Sequence, residues 1–339
     1  MNRESPQGHN LPGLDTDRVV SWFARHVGDD CGLTFSLVAN CRSNLTYTAT
    51  AESGRRWILR RPPVGAVHTS AHDVGREHRI MAALYNTGVP VPRMVGYCAG
   101  DDVTGAPFYV MEFVDGVVMD EDAAIEALAG PARERFLQEL GSTLARIHSV
   151  DLAEVGLGDL VKPYPLVRRQ LRRWNSQLQD RTDPTGMLLR ELHDRLKTDA
   201  PDQDEPVLVH GDYRPGNVIV APDGSIAAVL DWELTAAGDG LADLGWLAAW
   251  WSGRLEWTPA PHLASPSLPR LLDAYAAAGG LDIERLPYYQ AFAYWRLACI
   301  GLGVYERYAS GAMGEQTQEL DELLNKPERF AQMALSLLQ

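Results

Sequence analysis

Cysteine is scarce in this chain: among 339 residues there are four, Cys31, Cys41, Cys98 and Cys299, and none belongs to a CxxC pair or another metal-ligand spacing. That excludes a disulfide framework and points to free thiols in a reducing compartment. Long apolar runs are missing as well. No segment reaches about 18 uninterrupted apolar residues, so no membrane span is expected. The opening MNRESPQGHN has no apolar core of the signal-peptide kind, and a cytoplasmic location is the expectation. Basic residues are the minority, 31 Lys and Arg against 45 Asp and Glu, for a formal charge of −14. A charge of that sign disfavours nucleic acid or an anionic membrane as the main partner. Finally, no glycine stands between residues 33 and 53, so that stretch cannot form a glycine-rich phosphate loop.

What is present reads as a large core with a change of rhythm. A hydrophobic content of 45% is enough for one large domain or two. DTDRVVSWFARHVG has Asp15 or Thr16 as a cap, apolar residues at helical spacing and Gly28 as a stop. LTFSLVA (33–39), LTYTATA (45–51) and RWILRR (56–61) are short β-rich runs in meander order. A second helix follows in SAHDVGREHRIMAALYNTG, with a capping box expected from Ser70 to Asp73 and a stop at Gly88. VPVPRMVGYC and PFYVMEFVDG predict two more strands. Helices are predicted over 131–149, 164–180, 183–198, 239–252, 267–279, 283–309 and 315–337. The expectation is an α+β chain. A sheet-rich part, residues 1–114, is joined through Asp115-Gly116 to a helical part, residues 115–339, with one β-hairpin embedded in the latter.

That hairpin holds the chemistry. In VLVHGDYRPGNVIVAPDGSIAAVLDWE (207–233), the turn PDGS closes NVIVA on IAAVLD. Asn217 then opens one strand and Asp231 ends the other, so they can face each other at one end of the ladder, with Asp212 in the loop just before. Three oxygen ligands, two of them ionised, suit a hard cation such as Mg²⁺ together with phosphate. A carboxylate outside the metal shell can meanwhile take a proton from an attacking hydroxyl. Each residue alone is also an ordinary turn or cap residue. The three together carry the functional reading.

HGDYRPGN (210–217), VLDWE (229–233) and GDGLADLGW (238–246) resemble the aminoglycoside phosphotransferase (APH) family, relatives of the protein kinases. RSNLTY, RWILRR, AHDVGREHRIMAAL, TGVPVPRMVG, PFYVMEFVDG and LARIHSVD extend the likeness over nearly the whole chain. It is closest to the branch associated with acyl-CoA dehydrogenases. The resemblance implies a bilobal protein-kinase-like fold, with a small antiparallel-sheet N-lobe that binds nucleotide and a larger, mainly helical C-lobe for catalysis and acceptor. It implies Asp212 as catalytic base, Asn217 and Asp231 as Mg²⁺ ligands, and Arg214 as a contact for the γ-phosphate. Arg60, or Arg61 if the register shifts by one, would pair with Glu77 to hold the α- and β-phosphates. Ser43 and Asn44 would supply polar contacts where a kinase has loop glycines. Met111, Glu112 and Val114 would form the hinge that takes adenine in the interlobe cleft. His210, Asp239 and Asp243 are expected to brace structure, and Trp246, Trp250 and Trp251 to lie in the core.

The function implied is transfer of phosphate from ATP, with GTP as the alternative, to a hydroxyl of a small molecule. The branch implies a hydroxyacyl-CoA or hydroxy acid as acceptor, and the basic helix YPLVRRQLRRWNSQ (164–177) either faces that acceptor or is a solvated face. An aminoglycoside or macrolide kinase is the alternative that the negative charge suits. A catalytically silent nucleotide-binding scaffold is the alternative that the glycine-poor loop suits.

Overall fold

The computed structural model describes residues 11–28, 32–38, 44–65, 73–119, 124, 127–128, 130–178, 181–202, 205–252, 267–310 and 320–339. Ser43, Ser70, Cys31 and Cys41 lie outside these; Cys98 and Cys299 are free thiols. The chain divides into two compact units.

The first unit holds Met1–Val117, Val218–Pro222 and Ile226–Leu234. Its helix α1 (Thr16–His26) is capped by Asp15, whose side chain accepts the Arg18 N–H at 3.2 Å. A five-stranded antiparallel sheet follows, built from β1 (Thr34–Leu37), β2 (Leu45–Thr50), β3 (Arg56–Arg61), β4 (Met94–Cys98) and β5 (Phe108–Glu112), in the order β1-β2-β3-β5-β4. β4 begins after Pro90 and Pro92, which cannot donate to a ladder. Helix α2 (Val74–Leu84) starts at Asp73, which accepts the Arg76 N–H at 2.9 Å, so the cap is Asp73 itself.

Strand alternation sorts the sheet into two faces. Tyr47, Ala49, Trp57, Leu59, Phe108 and Val110 pack against Val19, Trp22 and Phe23 of α1 as one core. The register pairs Ile58 with Met111 and Arg60 with Tyr109 on the opposite face. Arg61 is thereby turned to the α1 side. There its guanidinium is buried and donates to the carbonyls of Gly13, Pro62 and Thr104.

The hairpin strands β8 (Val218–Val220) and β9 (Ile226–Val229) belong to this first unit. A single break at residue 114 would have placed them with the helices. They are held here by the Val229 N–H on the Pro90 carbonyl at 2.8 Å and by Arg76 on the Glu233 carbonyl at 3.0 Å. The expected turn is present, with Gly224 at φ 87°. The short strand β6 (Val117–Val118) marks where the first segment of this unit ends.

The second unit is helical: α3 (Gly130–His148), α4 (Leu166–Asn175), α5 (Pro184–Thr198), α6 (Leu241–Trp251), α7 (Ser267–Ala277), α8 (Leu286–Ala309) and α9 (Leu320–Leu337). Helix α4 is shorter than expected, starting after Pro165 and ending at Asn175. The pair β7 (Val207–Val209) and β10 (Ala236–Gly238) forms a small antiparallel ladder in the same unit. Helix α8 is buried along most of its length, including Phe292, Trp295 and Leu297. Helix α6 reaches it at Gly245, where a Cβ would stand 2.6 Å from the Tyr289 carbonyl oxygen. Among the described residues no helix is long and apolar enough to cross a membrane.

Gly245→Ala would force α6 away from α8, since backbone is the obstacle and cannot rotate aside. The expected loss is about 1–3 kcal/mol, read as a lower midpoint in thermal unfolding by circular dichroism; an unchanged midpoint would show that the two helices can separate freely.

Candidate active site

In the second unit the loop His210–Asn217 runs from β7 and closes in a short 3₁₀ turn at Pro215–Asn217. The loop would expose many backbone groups, and the surrounding helices satisfy them one by one. Asp243 of α6 is 1% exposed; its carboxylate accepts the His210 N–H at 2.6 Å and the Gly211 N–H at 2.8 Å. Arg296 of α8 donates to the Gly211 carbonyl at 2.9 Å. The Tyr213 hydroxyl donates to the Leu140 carbonyl at 3.0 Å. His210 is fully buried, and its Nδ1 accepts the Asp212 N–H at 3.2 Å, a bracing role as expected. Asp239 accepts the Leu241 N–H at 3.1 Å and so braces the turn just ahead of α6, whose N-cap is Gly240.

This bracing fixes Asp212. Its Oδ2 accepts the Asn217 amide Nδ2 at 2.8 Å, and the same nitrogen donates to the Asp212 backbone carbonyl at 2.8 Å. Its Oδ1 accepts the Trp246 indole N–H at 2.7 Å. Arg214 stands further off, its Nε 3.4 Å from Oδ2 and its guanidinium 4.9 Å from the centre of the Trp250 ring. Trp246 is buried as expected, yet it is more than core. One signal was available: Trp246 follows Asp243 by three residues, so both lie on one face of α6. Arg296 has no such signal, because it comes from a different helix far along the chain.

Asp231 lies in the first unit, with Arg60 and Glu77. The Arg60 guanidinium is 3.0 Å from Glu77 Oε1, 2.9 Å from Asp231 Oδ1 and 3.8 Å from Glu233 Oε2. Between the two rival arginines, the alternation of β3 therefore turns Arg60 to Glu77 and leaves Arg61 on backbone carbonyls. Burial works against the Arg60 charge, but Tyr109, Glu77 and Asp231 together hold its pKa above the ordinary arginine value. Burial pushes Glu77 up from its ordinary 4.5, with the Arg60 guanidinium opposing. Asp231 has φ 66°, the only non-glycine residue in the left-handed region among those described. Such a conformation costs on the order of 1 kcal/mol and persists only where surrounding contacts impose it.

The remaining expected residues are in the first unit too. Asn44 is 3% exposed and its Oδ1 has no hydrogen-bond partner among the described residues. Met111 and Glu112 end β5 and Val114 follows; the Glu112 carboxylate meets Arg93 at 2.5 Å and its N–H the Arg93 carbonyl at 2.9 Å.

The donor set can be tested against a hard cation. Asn217 turns its amide nitrogen to Asp212, which leaves its Oδ1 as an acceptor; Asp231 is a carboxylate of the first unit. Among the described residues no group of three or more His, Cys, Asp and Glu forms an all-protein metal cage. An oxygen donor of this kind, without such a cage, is compatible with a hard cation that keeps waters and phosphates as its other ligands.

Residues 34–294 match the family described as the phosphotransferase enzyme family, APH. The chain is 33% identical over 295 residues to acyl-CoA dehydrogenase family member 10 of Mus musculus, a match covering 83% of this chain and 27% of that protein. It thus spans about a quarter of that relative's length. A solved structure from Ralstonia eutropha, provisionally described as an aminoglycoside phosphotransferase, is 27% identical with a TM-score of 0.78, covering 96% of this chain and 98% of that one. An APH(2'')-type enzyme solved with GDP and kanamycin shares the fold at 13% identity, with a TM-score of 0.62 over 94% of this chain and 98% of that one.

Arg60→Met leaves Glu77 buried without its ion pair, a loss of about 3–5 kcal/mol at neutral pH, measured by urea unfolding. A carboxyl whose pKa is raised on folding contributes stability that is full below its ordinary value and is lost as pH rises through the folded value. Removing Arg60 raises Glu77 further, so the penalty should shrink as pH falls toward 4.5. The double variant Arg60→Met with Glu77→Met should recover a large part of it. A double variant as unstable as the single one would sever the proposed dependence of Glu77 on Arg60.

Proposed function

The chain belongs to the APH phosphotransferase enzyme family, and from that premise we propose that it moves the γ-phosphoryl group of ATP, with GTP as the alternative donor, to a hydroxyl of a hydroxy acid or hydroxyacyl-CoA. The observation that carries the reading is the state of Asp212: both carboxylate oxygens accept from neutral, buried-side donors, Trp246 on one and Asn217 on the other. The carboxylate is thus aimed by fixed donors, with the Arg214 Nε as a looser cationic neighbour at 3.4 Å, which suits a group that receives a proton.

In the proposed step the acceptor hydroxyl faces Asp212. Its oxygen bonds to the γ-phosphorus while the bond from that phosphorus to the β,γ-bridging oxygen breaks. The bridging oxygen leaves with the electron pair as part of ADP, and the hydroxyl proton passes to the Asp212 carboxylate. Asn217 Oδ1 and Asp231 would hold Mg²⁺, which when bound neutralises charge on the phosphates. Arg60, fixed by Glu77, would reach the α- and β-phosphates, and Arg214, only loosely tied to Asp212, the γ-phosphate. Ser43 and Asn44 would add polar contacts to phosphate, through the hydroxyl of the one and the amide N–H groups of the other. Met111, Glu112 and Val114 would form the adenine hinge, with residues 1–114 as the nucleotide part and 115–339 as the catalytic and acceptor part.

The likeness to an acyl-CoA dehydrogenase family member supports an acyl-type acceptor. So does the basic helix α4, whose Arg172 and Arg173 are exposed. The Ralstonia structure and the net negative charge favour a second reading, an aminoglycoside kinase.

Coupled ADP release over a panel of hydroxy acids, hydroxyacyl-CoA esters and aminoglycosides tests the proposal. Asp212→Ala should lower turnover by roughly 100- to 10,000-fold while nucleotide affinity stays within a few-fold. Turnover that survives the substitution, or nucleotide binding without transfer to any acceptor, would refute it, the latter in favour of a silent scaffold. Trp246→Phe keeps the ring and removes one donor to Asp212; it should lower kcat by about 10-fold with little change in the KM for nucleotide.

A further inference from the structure

Arg296 is the group the proposed reaction does not use. It is 8% exposed in the middle of α8, its guanidinium 4.1 Å from the centre of the Trp246 ring. One N–H donates to the Gly211 carbonyl. A guanidinium has five N–H donors, and a neutral side chain would have sufficed for one carbonyl. Among the described residues no carboxylate lies within ion-pair distance of Arg296, and its other donors have no protein acceptor. Buried cations are ordinarily paired, because the charge is otherwise costly to desolvate. Burial pushes the Arg296 pKa down, and the more distant Asp212 and Asp243 carboxylates hold it up.

The surroundings share the shortage of acceptors. Arg173 of α4 is close enough to repel Arg296, and its exposed side chain has no carboxylate partner among the described residues. The Trp250 indole N–H, one helical turn from Trp246, is buried and has no acceptor there either. Two guanidinium groups and an indole donor in one unit, with no carboxylate assigned to any of them, favour an anion.

We propose that Arg296 anchors a carboxylate of the acceptor and thereby sets the acceptor's hydroxyl against Asp212. Arg296 touches both Gly211, which precedes Asp212, and Trp246, which holds the Asp212 carboxylate. A short molecule with a carboxylate on one carbon and a hydroxyl a few bonds away matches that arrangement. The proposal rests on the kinase reading and narrows it: a free hydroxy acid is the acceptor, in preference to its CoA thioester, in which the carboxylate charge is gone.

The test compares 3-hydroxybutyrate and 3-hydroxydecanoate with their amides and their CoA thioesters, in the wild type, Arg296→Met and Arg296→Lys. The readouts are kcat/KM from ADP release and, separately, binding by isothermal calorimetry. Arg296 also braces Gly211, so any common loss across all acceptors reports the loop, and the acid-to-amide ratio reports the anchor. Wild type should prefer acid over amide, and Arg296→Met should erase that preference by roughly 10- to 100-fold, mainly through KM, with Arg296→Lys keeping part of it. Equal handling of acid and amide by the wild type, or a ratio unmoved in Arg296→Met, would overturn the proposal. So would a thioester preference that depends on Arg296, since the anion would then be a phosphate of the CoA moiety. Acid binding that depends on Arg296 without any transfer would uphold the anion site and sink the kinase reading instead.

Discussion

One buried carboxylate organises the second unit. Asp243, almost wholly removed from solvent, accepts two consecutive backbone N–H groups, those of His210 and Gly211. Ionised carboxylates survive burial only when their lone pairs are taken up. Here the donors that take them up belong to the loop that carries Asp212. The requirement therefore runs both ways: the carboxylate needs the loop's N–H groups, and the loop, with Gly211 at φ 90°, keeps its conformation because the carboxylate holds it. Asp212, Asn217 and Trp246 are positioned as a consequence.

The first unit solves a similar problem with opposite emphasis. There the organising group is a cation, Arg60, gathering Glu77, Asp231 and Glu233 on the sheet face away from α1. A buried charge of this kind is weak evidence for stability, because the desolvation of each partner offsets their attraction. What the cluster provides is position. It ties β3 to α2 and to the segment after β9, and it holds Asp231 in a backbone conformation that a non-glycine residue seldom adopts. Arg296 contrasts with Arg60: both are buried cations, but one is surrounded by carboxylates and the other has a single carbonyl and an aromatic face.

Much of this was legible beforehand because it is local. Period-two alternation over 45–61 marked β2 and β3, and the same alternation distinguishes Arg60 from Arg61 once the core face is known. Turn chemistry at Asp223-Gly224 gave the hairpin, and the ends of most helices followed from caps, prolines and glycines. The misplacements have physical causes. The cap of α2 is Asp73, which sits directly before the first helical residue. Residues 164–165 did not join α4, since Pro165 can precede a helix but not lie within one, and the helix ends at Asn175.

The sequence by itself determined the elements, the hairpin and the identity of its polar residues, because these depend on neighbours within a few positions along the chain. The tertiary structure alone decided that the hairpin strands pack with the sheet unit, that Trp246 gives its indole N–H to Asp212, and that Arg296 lies on Gly211. Those contacts join residues tens of positions apart. Side-chain type sets what each residue can bond, but only the packing of α6 and α8 selects which partner it meets.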